Sequence, residues 1–286
     1  MRILRLPLFL TAVADSVAGY LVALSPDLSR FRWDVVGLLA GTSAGLYLFG
    51  MVQNDLADIR RDRAMNVPRP LVTGDLNVGS AVALLVLAVL LAAGCAVRLT
   101  GGALFAATGA FVAINLYNLG AKFGPAYVAM SVMGLCRVLN YLMGMSAIHG
   151  FPRRLTFDML LPSGPLWIRH ALALFFITAV ITGYSICARR GTRVSSRPWG
   201  VALVGAAVAG FGLIVLSVVL APAPFVAPVA RVFAALALPA LWPGGLWAAT
   251  GPERKPVEYV AFIPRVIYWI VLMDAAFVVD SLLIPR

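Results

Sequence analysis

Charge is scarce in this sequence. Of 286 residues only 12% are Asp, Glu, Lys or Arg, against about 25% in an average soluble domain, and 61% are hydrophobic, against about 45 to 50%. A soluble fold cannot bury that much apolar surface. Carboxylates are the rarest of the charges, with 12 Asp and Glu beside 23 Lys and Arg. Each acidic residue is therefore worth locating. Histidine occurs twice and cysteine three times. Cys95, Cys136 and Cys187 stand far apart inside apolar segments, without CxxC or Cys/His spacing, and read as packing residues instead of a disulfide frame or a zinc site. His149 and His170 flank one loop, read as surface or satisfied polar contacts, and offer no candidate base.

Long apolar runs are what the sequence has in quantity. Windows of about 20 residues with few charges are long enough to cross a hydrocarbon layer of about 30 Å as helices. Nine spans are expected, at about 7 to 25, 35 to 52, 80 to 98, 103 to 120, 126 to 148, 166 to 188, 200 to 221, 226 to 245 and 259 to 284. The fold class expected is an all-α, polytopic membrane bundle forming one domain over residues 1–286. The first apolar run reads as its first helix and not as a cleaved leader. The 26 glycines and 18 prolines fit, since both are commoner in spanning helices than in soluble ones.

The net charge of +11 does not point to nucleic acid, because the basic residues lie between apolar segments and not on one soluble face. Of the 23, an inward N-terminus puts 13 on the inner side and 7 on the outer, with Arg137, Arg231 and Arg265 inside spans. The positive-inside rule then sets the N-terminus and the loop of residues 53–79 in the cytoplasm.

That loop holds the acidic residues of interest. Residues 54–62 read NDLADIRRD, and if the second helix continues through them, Asp55, Asp58 and Asp62 fall on one face with Asn54 beside them. Three carboxylates pointing one way repel one another unless a cation sits among them. Hard oxygen ligands suit Mg²⁺, which usually takes one or two protein carboxylates and completes its shell with water and substrate phosphate. A diphosphate substrate is implied. Arg60, Arg61, Arg63 and Arg69 surround the cluster, and Pro68, Pro70 and Gly74 turn the chain back. The same run also reads as a solvated helix whose acids pair with neighbouring arginines.

Asn54, Asp55, Asp58 and Asp62, followed by Arg69-Pro70-Leu71 and Gly74, form NDxxDxxxD then RPLxxG. This resembles the first aspartate-rich motif of the UbiA superfamily of intramembrane prenyltransferases, and nine spans with the motif after the second are similar to that family. The resemblance implies that Asp55, Asp58 and Asp62 are catalytic and hold Mg²⁺-diphosphate, that Asn54 assists, and that Arg69 contacts phosphate or braces the loop. The implied partners are an isoprenoid diphosphate donor, a lipophilic acceptor and the lipid bilayer, without nucleic acid, in a bacterial inner membrane. Lys122 stands where the family often has a basic residue for the diphosphate, and equally suits a positive-inside anchor.

Within the fifth span, GLCRVLNYLMG places Arg137, Asn140, Tyr141 and Gly144 at membrane depth. A buried arginine costs about 2.5 to 3.5 kcal/mol on insertion scales, so it needs a cavity or a partner. Asp15 and Asp274 are the available counter-ions, and Arg137 with Asn140 either fixes helix packing or lines a substrate cavity. The segment also resembles the EboC-type branch. Asp280 reads as interfacial.

One element of the family pattern is missing. Where a second aspartate-rich motif is expected after the sixth span, the sequence reads YSICARRGTRVSSRPWG, with no carboxylate and with Arg189, Arg190, Arg193 and Arg197. Guanidinium groups bind phosphate oxygens in pairs, so one metal site facing an arginine site is expected; the arginines also fit a topology signal. The alternatives to transfer chemistry are a non-catalytic UbiA-like membrane protein and a transporter of lipids or small molecules, although no internal repeat supports the latter.

Overall fold

The computed structural model describes residues 6–25, 27–149 and 166–190, together with Val271, Asp274, Ala275, Val278 and Val279. Among these residues the chain is helical, with no strand. The helices are α1 (Leu6–Leu24), α2 (Trp33–Ala64), α3 (Pro70–Thr73), α4 (Val78–Ala96), α5 (Gly101–Leu119), α6 (Ala126–His149) and α7 (Leu166–Arg190). Short 3-10 turns occupy Leu28–Arg30 and Ala121–Phe123. Six of the nine expected spans coincide with α1, α2, α4, α5, α6 and α7. The seventh and eighth lie outside the described residues, and the ninth is described only at isolated positions near Asp274. Four helical stretches, Trp33–Ala64, Val78–Ala96, Gly101–Phe123 and Ala126–Ile148, are long and apolar enough to cross a membrane.

Packing is inverted relative to a soluble protein. On α4 the buried residues are Ala81, Ala88, Ala92 and Ala96, while Leu84, Leu87, Leu90 and Leu91 face outward. Bilayer hydrocarbon is as apolar as leucine, so helices gain little by burying large side chains and associate through close backbone contact at small ones. Gly45 of α2 lies where a Cβ would stand 2.6 Å from Ala92 N. Gly144 of α6 is tighter still, since a Cβ there would stand 1.7 Å from the Ser16 carbonyl oxygen of α1. α6 thus sits at the centre, packed on α1, α5 and α7, and α2 packs on α4, α1 and α5.

Length matters in α2. Its 32 residues extend about 48 Å, well beyond a hydrocarbon layer of about 30 Å. The surplus at its C-terminal end carries the NDLADIRRD run out of the apolar zone without breaking the helix. The helix stops at Met65; Asn66 takes a left-handed conformation with φ 50°, one of the few non-glycine types that tolerates it. Pro70 starts the single turn of α3 after Arg69 as its N-cap, and Gly74 ends it at φ 86°. The reversal brings Arg69 back against the face of α2 it has just left.

Candidate functional site

The face expected from the spacing exists, since α2 is continuous through it. Asp58 and Asp62 are almost fully buried, at 1% and 2% exposure, and Asp55 is partly so. Charges in that position must be paired, because desolvation without compensation is costly. Lys122, carried on the 3-10 turn after α5, places its ammonium 2.9 Å from Asp58 Oδ1 and donates a 3.0 Å hydrogen bond to Asn54 Oδ1. Both the Lys122 and Asp58 side chains are shut off from solvent. Arg69 Nε lies 3.0 Å from Asp62, and its Nη1 pairs with Asp55. Arg61 completes the set, 3.0 Å from Asp58 and 3.7 Å from Asp62.

Asn54, Asp55, Asp58, Asp62, Arg69 and Lys122, singled out from the sequence, lie side by side here, carried on three segments. Nothing in the sequence prefers Arg61 among the loop arginines. Arg60 and Arg63 are exposed and pair with none of the three aspartates; Arg60 lies on the opposite face of α2 and Arg63 on the flank away from Asp58. Helical phase could have separated them: Arg61 is three residues after Asp58, the spacing that brings side chains together.

A layer of amides beneath the cluster was not foreseen at all. Gln53 Nε2 donates to Asn115 Oδ1 at 2.6 Å, and Asn118 Nδ2 donates to Gln53 Oε1 at 3.0 Å and to the Gly50 carbonyl at 2.9 Å. These bonds tie the end of α5 to α2, and Lys122 follows Asn118 by one turn. The clasp fixes the distance across which Lys122 reaches Asn54 and Asp58.

Arg137 and Asn140 are not part of this cluster. Arg137 pairs with Asp15 at 2.6 Å and donates to Thr11 Oγ1 at 2.8 Å. Asn140 donates to the Ala12 carbonyl at 2.6 Å, and its Oδ1 lies 2.8 Å from Ser43 Oγ. Both residues bridge α6 to α1, and Asn140 also reaches α2. Of the two counter-ions considered, Asp15 serves Arg137, whereas Asp274 lies 2.7 Å from His170 Nε2. His170 is completely buried and rests on the Tyr141 ring at 4.5 Å between centroids, so its role is a satisfied internal contact and not a surface one. Arg189 and Arg190 are the last residues of α7. Arg193, Arg197 and the rest of that loop lie outside the described residues, as does Asp280.

Among the described residues no three His, Cys, Asp or Glu groups converge closely enough to ligate one ion. The aspartates are arranged around protein cations instead. The donor chemistry nevertheless suits Mg²⁺: an amide oxygen of Asn54 and a carboxylate oxygen of Asp58 already converge on one positive centre, the Lys122 ammonium. Magnesium asks for only one or two carboxylates when phosphate and water supply the remainder.

An α-helical bundle with small-residue interfaces, one overlong helix and a carboxylate-cation cluster at its end defines a class of intramembrane protein. Comparison of the structure makes this particular: the fold is that of UbiA homologues. A UbiA homologue from Aeropyrum pernix K1 aligns with TM-score 0.64 at 19% identity, over 97% of this chain and 98% of the other. A UbiA homologue from Archaeoglobus fulgidus bound to GPP and Mg²⁺ aligns with TM-score 0.66 at 16% identity, over 97% and 98%. A structure concerned with digeranylgeranylglyceryl phosphate synthase gives TM-score 0.61 at 17% identity, over 99% of each chain. No protein-family model and no curated protein sequence matches this chain.

Proposed function

We propose that the chain belongs to the UbiA superfamily and is a magnesium-dependent membrane prenyltransferase, moving an isoprenoid chain from an allylic diphosphate to a lipophilic acceptor. The observation that carries this reading is the meeting of Asn54, Asp55, Asp58 and Asp62 with Lys122 and Arg69 at the end of α2. It is supported by the fold shared with homologues bound to GPP or DMAPP with Mg²⁺.

On this reading Asp55, Asp58 and Asp62 would hold the metal, assisted by Asn54. The metal would offset negative charge on the diphosphate as it leaves. Lys122, Arg61 and Arg69 bind phosphate oxygens and oppose the same build-up of charge from fixed positions. The carbon-oxygen bond to diphosphate breaks with its electron pair on oxygen, the acceptor nucleophile forms the new bond to the allylic carbon, and the acceptor's proton is released. Arg189, Arg190 and Arg193 are proposed as a second phosphate-binding group, and Arg137 and Asn140 as groups that hold α6 against α1 and α2.

The test is magnesium-dependent release of diphosphate from an allylic diphosphate by purified protein. Asp55→Ala and Asp58→Ala should each lower release by a hundredfold or more, and release unchanged in both would refute the assignment. A second reading, transport of a lipid or small molecule, is favoured by the buried set of Asp15, Arg137, His170 and Asp274 at membrane depth. It predicts vesicle uptake that survives Asp58→Ala.

A further inference from the structure

Two carboxyls meet inside the bundle with too few donors between them. Asp15 of α1 and Asp274 are both buried, at 0% and 3% exposure. Asp15 Oδ2 lies 2.6 Å from Arg137 Nη1 of α6, and Asp274 Oδ1 lies 2.7 Å from His170 Nε2 of α7. The two carboxyls also stand within hydrogen-bonding reach of each other. That leaves Asp15 Oδ1 and Asp274 Oδ2, both buried and, among the described residues, both without a donor. Tyr141 of α6, the other titratable group beside them, packs its ring on His170 but gives its hydroxyl to neither oxygen. We propose that Asp15 and Asp274 form a binding site for one proton, held between these two oxygens, and that this proton docks the segment carrying Asp274 onto α1 and α7. The site is separate from the cluster at the end of α2 and stands whether the protein transfers or transports.

One proton can sit in two places here, and the contacts choose between them. On His170 it makes an imidazolium facing Asp274, and two bare carboxylates then touch, each with a buried oxygen that no donor satisfies. Both the repulsion and the missing hydrogen bonds are costly away from water. Between the carboxyls the same proton satisfies the whole chain of contacts. A neutral His170 still donates from Nε2 to Asp274 Oδ1, and Asp274, as the acid, donates from Oδ2 to Asp15 Oδ1. Asp15 remains the anion and keeps Arg137 on Oδ2. Asp274 is the member that carries the hydrogen, because its other partner is an imidazole, which can donate while neutral, whereas Arg137 is always charged and needs Asp15 as its counter-ion.

Infrared and ¹⁵N NMR spectra of the full chain in nanodiscs locate the proton. Near neutral pH the wild type should show the C=O band of a protonated carboxyl, above amide I, that shifts on deuteration and disappears in Asp274→Asn. His149→Gln leaves His170 as the sole imidazole of the chain, and its nitrogens should read as neutral and protonated on Nε2. Asp274→Asn also mimics the acid, since an amide can accept from His170 and donate to Asp15, and its thermal midpoint should stay within about 3 °C of wild type. Asp15→Asn instead takes the anion from Arg137 and should lower the midpoint by at least about 6 °C. Raising the pH strips the shared proton and sets carboxylate against carboxylate, so the wild-type midpoint should fall as the medium becomes alkaline, and that of Asp274→Asn should fall less. An imidazolium spectrum for His170, or no acid band in the wild type, overturns the site. Asp274→Asn as damaging as Asp15→Asn overturns it too. A wild-type midpoint set by Na⁺ concentration and not by pH gives the two oxygens to a metal cation and overturns it equally.

Discussion

Single residues at the C-terminal end of α2 are under unequal demand, although the sequence shows them as one charged run. Lys122 and Asp58 are both sealed, so removing Lys122 leaves the Asp58 carboxylate with Arg61 as its cation, and removing Asp58 takes a carboxylate from the Lys122 ammonium, each in a poorly solvated place. Breaking such a pair costs about 3 to 5 kcal/mol, while replacing both partners by apolar or neutral groups is often close to neutral. Lys122→Met should therefore lower the thermal midpoint of the purified protein by several degrees, and Lys122→Met combined with Asp58→Asn should recover most of the loss. If the double variant is as unstable as the sum of the single ones, the two residues do not act as a pair. Arg60, one residue away in sequence from Arg61 but exposed on the other face, is the control: Arg60→Ala should shift stability by no more than about 0.5 kcal/mol.

At the scale of elements, the bundle depends on backbones that touch. Gly144 on α6 leaves no room for a side-chain carbon against Ser16 of α1, so Gly144→Ala must push the two helices apart. Overpacking of this sort costs about 1 to 3 kcal/mol, and more where backbone is the obstacle. Gly94 on α4 has nothing within 4 Å of the same hypothetical atom, and Gly94→Ala should be neutral or slightly stabilising because alanine favours helix. Thermal unfolding of the two variants side by side measures the difference, and similar midpoints would mean that α1 and α6 are not packed as described. The amide clasp makes a comparable demand at the C-terminal end of α2. Asn118→Leu removes the donor to Gln53 and Gly50 and should impair diphosphate release through mispositioned Lys122, raising the KM for the donor before the protein loses its fold.

For the whole molecule, buried ionisable side chains join elements far apart in the chain. Asp15 of α1 pairs with Arg137 of α6, and His170 of α7 pairs with Asp274 near the end of the sequence. Arg137→Leu alone should leave Asp15 without a cation inside the bundle and reduce the yield of folded protein severely. Arg137→Leu with Asp15→Leu should restore much of it, read as the fraction recovered monodisperse from detergent. Failure of the double variant to recover would indicate that Arg137 serves something other than Asp15.

Composition and hydropathy alone determined that this is a bundle of spanning helices, because no other arrangement satisfies such apolar runs. The spacing of Asp55, Asp58 and Asp62 alone placed them on one face, because a helix that continues past the bilayer has a fixed pitch. Only the tertiary structure decided which cations meet those carboxylates, that Arg61 and not Arg60 or Arg63 faces them, that Gln53, Asn115 and Asn118 hold the two segments together, and that His170 belongs inside. The reason is physical: periodicity is a local property of one helix, whereas an ion pair between α2 and a turn 64 residues further on, from Asp58 to Lys122, depends on how the helices pack, and small-residue contacts that set that packing carry almost no pattern of their own.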